Sequence, residues 1–551
     1  MSLIGRIVTW MLQLPPAETP RYTVRRDVAV TMPDGVVLLA DHYIPRTDRP
    51  CPTILVRSPY GRRGYFGMLA AVPYTERGYQ VFIQSCRGTA GSGGEFVYTR
   101  NEHADGLATI AWIKQQGWFN GELATLGPSY LGFVQWAVAA DAGDDLKAMA
   151  LTVTTSDFHH FRAQGGSMTL ENILNWSAMM TEQAATGMKL NLSGVIQMRQ
   201  RERNLERAYR TLPLNQADRI AINRPSSLYQ EWFAHAPDDL DYWKQIIFSD
   251  RVGEVTAPIA LQAGWFDLFL DWQLQDYQRL RAAGKRPLLL IGPWYHGEPA
   301  SNGPITRETL AWLDARVKGK TAVLRANPVR LYIMGANEWR EYPDWPPVSQ
   351  PQRWNFQPNG ALAQADAPAT SEPDRYRYDP ADPTPAVGGN SLGAQQRMGQ
   401  QDNRALEARS DVLTYTSAPL TQDLEVIGPV AADLYVASSL EYTDFFARLC
   451  VVEPSGKSLN LCDGILRLTP ADFPPGSDGA RHIQIQLWPT AYHFRKGQRI
   501  RAQISSGAHP RFARNPGTGE PLATATKLLV ADQTIYNDAA RPSAFILPIV
   551  G

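Results

Sequence analysis

A chain of 551 residues is longer than one hydrophobic core serves, so two or three domains are expected. Its composition is 44% hydrophobic and 20% charged, and 54 basic residues balance 54 acidic ones to a formal net charge of zero. With no basic run that outlasts its acidic neighbours, the sequence carries no electrostatic footprint for nucleic acid or for an anionic membrane surface.

Four cysteines are too few for a disulfide framework. Cys51 and Cys86 fall in or beside strand-like runs and read as buried thiols. Cys450 and Cys462 flank the turn Glu453–Lys457 and read as reduced neighbours, with a bridge across the hairpin as the alternative. No Cys-x-x-Cys or His-Glu-x-x-His spacing points to a metal, and no cofactor is implied. No run of about twenty apolar residues spans a membrane. At the start, Leu3, Ile7, Trp10 or Met11, and Leu14 recur at helical spacing. Arg6 interrupts this stretch as a signal peptide and no small-x-small cleavage site follows. An amphipathic helix docked by that face is expected, with the cytoplasm as default location and secretion as the alternative.

From Tyr22 to Lys320 short β-branched runs alternate with helical stretches. Strands are predicted at Val36–Ala40, Thr53–Val56 and Gln80–Gln84, then a helix at Asn101–Gln115. A strand at Ala124–Leu126 leads into a helix at Leu131–Ala140, and a further strand covers Ala148–Val153. The series resumes with Ile259–Ala263 and Pro287–Ile291, each followed by a helix. Such alternation predicts a mostly parallel sheet covered on both faces. Between Ser156 and Trp243 only helical segments occur, which predicts an insertion capping the sheet edge where ligands bind. Beyond Lys320, evenly spaced short runs such as Ala322–Leu324, Val329–Ile333, Ala431–Val436, Ile483–Leu487 and Ile500–Ile504 predict an all-β sandwich. The polar, proline-rich stretch Gly360–Glu407 is expected to be a long surface excursion.

Acyl transfer to water needs an activated nucleophile, a base and waiting oxyanion donors. The segment Leu126-Gly127-Pro128-Ser129-Tyr130-Leu131-Gly132 joins a strand to a helix, as a nucleophile elbow does. Its Gly-x-Ser-x-x-Gly spacing differs by one residue from the commonest elbow, and an ordinary turn serine is the competing reading. Of the nine histidines, His296 follows a buried strand late in the series, where the base belongs; a core or capping histidine is its alternative. Asp267, in Gly264-Trp265-Phe266-Asp267, ends the preceding strand and reads as the acid, or else as a helix cap. The order Ser, Asp, His is that of α/β-hydrolases. The N–H of Tyr130 is one oxyanion donor, and the phenol of Tyr60, in Arg57-Ser58-Pro59-Tyr60-Gly61, is a second donor or a packing tyrosine. The glycine-rich Gly88–Gly94 lacks the ending of a phosphate cradle and reads as a tight structural loop.

These stretches, with Arg87-Gly88 through Gly94-Glu95-Phe96, Gly292-Pro293-Trp294-Tyr295-His296 and Pro510–Pro516, resemble one family of bacterial acyl hydrolases from about Asp27 to the C-terminus. It is the CocE/NonD type, comprising cocaine esterase, α-amino-acid ester hydrolases, glutaryl cephalosporin acylases and X-Pro dipeptidyl-peptidases. The resemblance implies an α/β-hydrolase body at 22–155 and 246–320, after an N-terminal extension at 1–21. It also implies a helical cap at 156–245 and a C-terminal jelly-roll sandwich at 321–551. Ser129, Asp267 and His296 match the catalytic triad, Tyr60 the oxyanion tyrosine, and Phe161, Trp176 and Phe269 the aromatics of an acyl pocket. Cys86 departs from the family's aspartate before Arg87. The implied activity is hydrolysis of a small ester, amide or peptide through an acyl-enzyme on Ser129, in a homo-oligomer. X-Pro dipeptidyl-peptidase activity and a catalytically silent ligand-binding relative are the alternatives.

Overall fold

In the computed structural model, residues 3–186, 192–236 and 238–551 are described. Helix α1 (Leu3–Met11) precedes strands β1 (Tyr22–Thr31), β2 (Val37–Pro45) and β3 (Thr53–Ser58). Then come α2 (Gly64–Thr75), β4 (Gln80–Ser85), α3 (Glu102–Lys114), β5 (Leu123–Pro128), α4 (Tyr130–Ala139) and β6 (Leu146–Thr152). The cap contains α5 (Phe158–Phe161), a hairpin of β7 (Ala163–Gln164) and β8 (Ser167–Met168), α6 (Leu170–Thr186) and α7 (Leu192–Ala208). It closes with α8 (Ala217–Ile222), α9 (Ser227–Ala234) and α10 (Leu240–Trp243). The body resumes with β9 (Ile259–Phe266), α11 (Leu270–Ala282), β10 (Leu288–Tyr295), α12 (Asn302–Arg316), β11 (Val329–Ile333) and β12 (Glu338–Tyr342).

The ten strands β1–β6 and β9–β12 form one sheet in the order β1-β2-β4-β3-β5-β6-β9-β10-β11-β12. From β4 to β11 every pairing is parallel; β1, β2 and β12 pair antiparallel at the two ends. The middle strands β3, β4 and β9 are buried at every position, as expected of apolar runs covered on both faces. In a parallel sheet the loops after the strands share one edge. Tyr60 after β3, Ser129 after β5, Asp267 after β9 and His296 after β10 therefore meet there.

Several sequence expectations are corrected. Val329–Ile333 does not open the sandwich; as β11 it pairs with β10 and extends the catalytic sheet, because its alternating burial suits a near-edge position. Ala322 and Val323 lie in a 3-10 turn rather than a strand. Helix α1 forms, but Val8, Leu12 and Leu14 are buried while Ile7, Trp10 and Met11 are exposed. Arg77 and Arg307 set that rotation by donating to the backbone carbonyls of Pro15 and Leu12. Met1 lies outside the described residues.

From Gln350 to Val550 eleven strands form a second sheet, antiparallel throughout except where Ala361–Ala363 meets Leu413–Ser417. Strand Arg481–Phe494 alternates buried and exposed residues over its first half, the signature of a half-covered antiparallel strand. This is the all-β domain that follows the α/β body. All four cysteines are free and buried, with Cys462 opposite Leu449 and Cys450 opposite Asn460 across their hairpin. The stretch 360–407 is not a surface excursion throughout. It contributes strands Ala361–Ala363 and Asp374–Tyr378, and Asn390 and Ser391 are buried. One apolar core runs through both domains, with Trp272 of α11 edge-on to Trp488 of the sandwich, ring centroids 5.6 Å apart. Among the described residues no helix is long and apolar enough to cross a membrane.

Beneath the domain junction Asp463 is held between two fully buried arginines, with Arg448 Nη2 at 2.8 Å and Arg511 Nη1 at 2.6 Å. Replacing the shared carboxylate strands two charges in the interior. Asp463→Asn is expected to destabilise the fold by about 3–5 kcal/mol, read as a lowered denaturation midpoint; an unchanged midpoint would contradict the account.

Candidate active site

Ser129 joins β5 to α4 with φ 57° and ψ −125°, a conformation an L-residue adopts only under constraint. The constraint comes from close backbone approach. A Cβ on Gly127, whose φ is 152°, would lie 2.4 Å from Leu131 Cβ, and one on Gly132 would lie 2.4 Å from the Thr154 side chain. The Ser129 N–H donates to Thr152 O at 2.9 Å, and its carbonyl accepts from Thr154 Oγ1 at 2.7 Å. The serine is thereby turned out at the sheet edge, half-buried, while Tyr130 behind it is enclosed.

Asp267 is wholly buried just past β9, and its Oδ2 lies 2.8 Å from His296 Nδ1. Its Oδ1 accepts the Phe269 N–H at 2.8 Å, so the carboxylate also closes the turn into α11. A buried carboxylate on Nδ1 fixes the imidazole tautomer and leaves Nε2 for proton transfer. Ser129 and His296 border the same cavity.

Tyr60 Oη accepts a hydrogen bond from Trp176 Nε1 at 3.2 Å, so its own proton points away from the indole. Burial pushes the Tyr60 phenol up to about 12, hydrogen bonds with Trp176 and Ser129 pulling the other way. The group is a neutral donor at any ordinary pH. Phe161, Trp176 and Phe269 all line the cavity that Ser129 and His296 border. The space left between them is about 30 Å³, enough for a water molecule and too small for an acyl group.

The sequence did not disclose Tyr98, Phe158, Trp232 and Leu392 in the lining. Nor did it disclose Asn390, whose Nδ2 donates to Asp267 O at 2.8 Å. Asn390 and Leu392 lie within 360–407, where composition gave no hint of burial. Leu392 is held by both backbone groups: its N–H donates to Asn172 Oδ1 at 2.8 Å and its carbonyl accepts from Asn175 Nδ2 at 2.6 Å. Arg397 then pairs with the buried Glu171 of α6 at 2.6 Å. A strap from the C-terminal domain thus fastens the cap and props the acid. The Pro510–Pro516 motif adds to this, since Pro510 O and the Ala513 N–H bond to Glu171 and Met168 of the cap.

Cys86 is buried beside Arg57 and Glu102, which both act on its thiol, and is not itself among the residues lining the cavity. The Gly88–Gly94 loop closes on itself, Gly88 N–H to Gly93 O at 2.9 Å. Among the described residues Asp157, His159 and His160 are grouped closely enough for a metal. Asp157, however, spends its oxygens capping α5, accepting from the His160 N–H at 3.0 Å and lying 2.6 Å from His160 Nδ1.

Two family models match the chain. X-Pro dipeptidyl-peptidase (S15 family) matches residues 34–298, and the X-Pro dipeptidyl-peptidase C-terminal non-catalytic domain matches 321–546. Cocaine esterase of Rhodococcus sp. (strain MB1 Bresler) is 31% identical, the alignment covering 96% of this chain and 99% of that one. Among solved structures, an aminopeptidase from a marine sediment Thaumarchaeota archaeon superposes with TM-score 0.81 at 23% identity, covering 98% of each chain. An α-amino acid ester hydrolase gives TM-score 0.76 at 20% identity and 98% coverage of each. A CocE/NonD family hydrolase from Staphylococcus aureus gives 0.70 at 17%, covering 96% and 94%.

The elbow geometry makes Gly127→Ala informative. The added methyl meets Leu131 at a φ that alanine resists, and a loss of about 2 kcal/mol or more is expected in denaturation. Wild-type stability in that variant would show that the turn is not under the constraint described.

Proposed function

Because this chain belongs to the CocE/NonD family of acyl hydrolases, serine hydrolases of ester or amide bonds, we propose that Ser129 is its nucleophile, served by His296 and Asp267. The observation that carries the reading is the 2.8 Å Asp267–His296 pair facing the same cavity as the strained Ser129. His296 Nε2 takes the hydroxyl proton as Ser129 Oγ attacks the substrate carbonyl carbon. The imidazolium formed is stabilised by Asp267, and the oxyanion is received by the Tyr130 N–H and the Tyr60 phenol. His296 returns the proton to the leaving alcohol or amine, whose bond to the acyl carbon breaks. A water, deprotonated by the same imidazole, then releases the acid from Ser129.

The substrates proposed are esters of apolar, preferably aromatic, acids. The cavity wall supports this: Tyr98, Phe158, Phe161, Trp176, Trp232 and Phe269 offer ring faces and edges. Its polar members include Asn172 and Ser177, and no Asp, Glu, Lys or Arg is among the described lining residues. An N-terminal α-ammonium, which X-Pro dipeptidyl-peptidase action requires the site to hold, would be desolvated there with no carboxylate among the described lining residues. The peptidase reading rests on the family model alone.

The test is a comparison of kcat/KM for an aryl benzoate, an aryl acetate and an Ala-Pro anilide on the full chain. The benzoate should exceed the Ala-Pro anilide by about 100-fold or more, the scale set by stranding a charge in an apolar pocket. Preferential turnover of the Ala-Pro anilide would replace the esterase reading with the peptidase one.

A further inference from the structure

Two buried residues outside the cavity, Glu102 and Arg57, lie behind the proposed oxyanion hole. Tyr130, whose N–H is one donor, is 1% exposed, and its phenol donates to Glu102 Oε1 at 2.8 Å. The Tyr130 Oη in turn accepts the Thr99 N–H at 3.1 Å. Glu102, in the first turn of α3, lies with its Oε2 2.9 Å from Arg57 Nη1. Arg57 sits near the end of β3, three residues before Tyr60, the second donor. Its Nε donates to Gln84 Oε1 on the neighbouring strand β4 at 3.0 Å, and its Nη1 to the Glu102 backbone carbonyl at 2.8 Å. Helix α3 closes on it at Gly106, where a Cβ would come within 3.1 Å of Nη1.

We infer that the buried Arg57–Glu102 pair is the positioning device of the oxyanion hole, tying the Tyr130 phenol to the strand end that carries Tyr60. The inference rests on the Ser129 reading above. The Tyr130–Glu102 and Arg57–Gln84 links are hydrogen bonds, whereas Arg57 and Glu102 are held by charge attraction across 2.9 Å and by the bond to the Glu102 carbonyl, Glu102 Oε2 having no hydrogen-bond partner among the described residues. Tying the Tyr130 hydroxyl fixes the far end of a ring whose near end begins α4, so the helix N-terminus and its N–H cannot drift. The ring itself stacks on Trp176 with an interplanar angle of 11°, and Trp176 in turn donates to Tyr60. The two donors are thus joined twice, once through the cap and once beneath the sheet edge.

The pair is poorly suited to a purely stabilising role. Burying two charges incurs a desolvation cost that their attraction only partly repays. Here Arg57 Nη2 also finds no hydrogen-bond partner among the described residues. Burial alone would push the Arg57 guanidinium down, and Glu102 together with Cys86, Asp105 and Tyr130 turns that into a net rise. What the arrangement does supply is a fixed separation between two donors that must meet an oxygen within tenths of an ångström.

The experiment uses the full chain with an aryl benzoate as substrate and phenylboronic acid as inhibitor, a reversible adduct on serine that places an oxygen in the hole. Tyr130→Phe removes the hydroxyl, and Glu102→Gln keeps an acceptor for it but removes the charge. Both are expected to lower kcat about 10–100-fold with KM within about twofold, and to weaken boronate inhibition by the same factor. Tyr60→Phe alone should lower kcat about 10²–10³-fold. Combined with Glu102→Gln it should lose less than the product of the two, since both act on one hole. Folded Tyr130→Phe with wild-type kcat and boronate affinity would overturn the inference. So would losses in both variants that track thermal stability or KM instead of boronate binding. Wild-type protein that forms no adduct at Ser129 would bring down the reading beneath it, and the inference with it.

Discussion

The backbone of Ser129, at φ 57° and ψ −125°, is the constraint from which the site follows. Holding a serine there costs on the order of 1–3 kcal/mol, so its surroundings must over-determine it. They do so with glycine on either side, Gly127 against Leu131 and Gly132 against Thr154, and with both backbone groups of Ser129 bonded to β6 and the loop after it. The parallel sheet then needs only loops of ordinary length to bring Tyr60, Asp267 and His296 to the same edge. The order of strands, not their nearness in sequence, assembles the chemistry.

The second dependence runs through the C-terminal domain. Its strap holds Asp267 through Asn390, lines the cavity with Leu392 and clasps α6 through Arg397 and Glu171. The continuous core linking Trp272 to Trp488 makes the domains one mechanical body. The C-terminal domain thus contributes to the wall of the proposed site through Leu392. Aromatic side chains of the cap, from α5 and α6 in particular, form much of the cavity wall.

Much of this was legible in the sequence because strand periodicity and turn chemistry are local. The strands that end at Ser129, Asp267 and His296 announce themselves by apolar runs, and the elbow by its glycines. What was not legible depends on distant partners. Asn390 and Leu392 sit in a stretch whose polar, proline-rich composition suits solvent, and its packing depends on partners far off in sequence, among them Asn172, Asn175, Glu171 and the Asp267 carbonyl. Helix α1 was expected to bury Ile7 and Trp10. Its rotation is instead set by Arg77 and Arg307, which lie 60 and more residues away. Strand β11 read as part of the sandwich because a near-edge strand of an α/β sheet and a sandwich strand share the same alternation. The acyl-pocket aromatics came from family resemblance and not from spacing, since cap packing decides which rings face the serine.

The central claim is that Ser129 is the reactive nucleophile of this fold. Intact-mass measurement after treatment with a fluorophosphonate, on the wild-type chain and on Ser129→Ala, tests it most directly. One adduct per chain that disappears in the variant is the predicted result. No adduct on folded protein, or an adduct that persists in Ser129→Ala, would contradict the account.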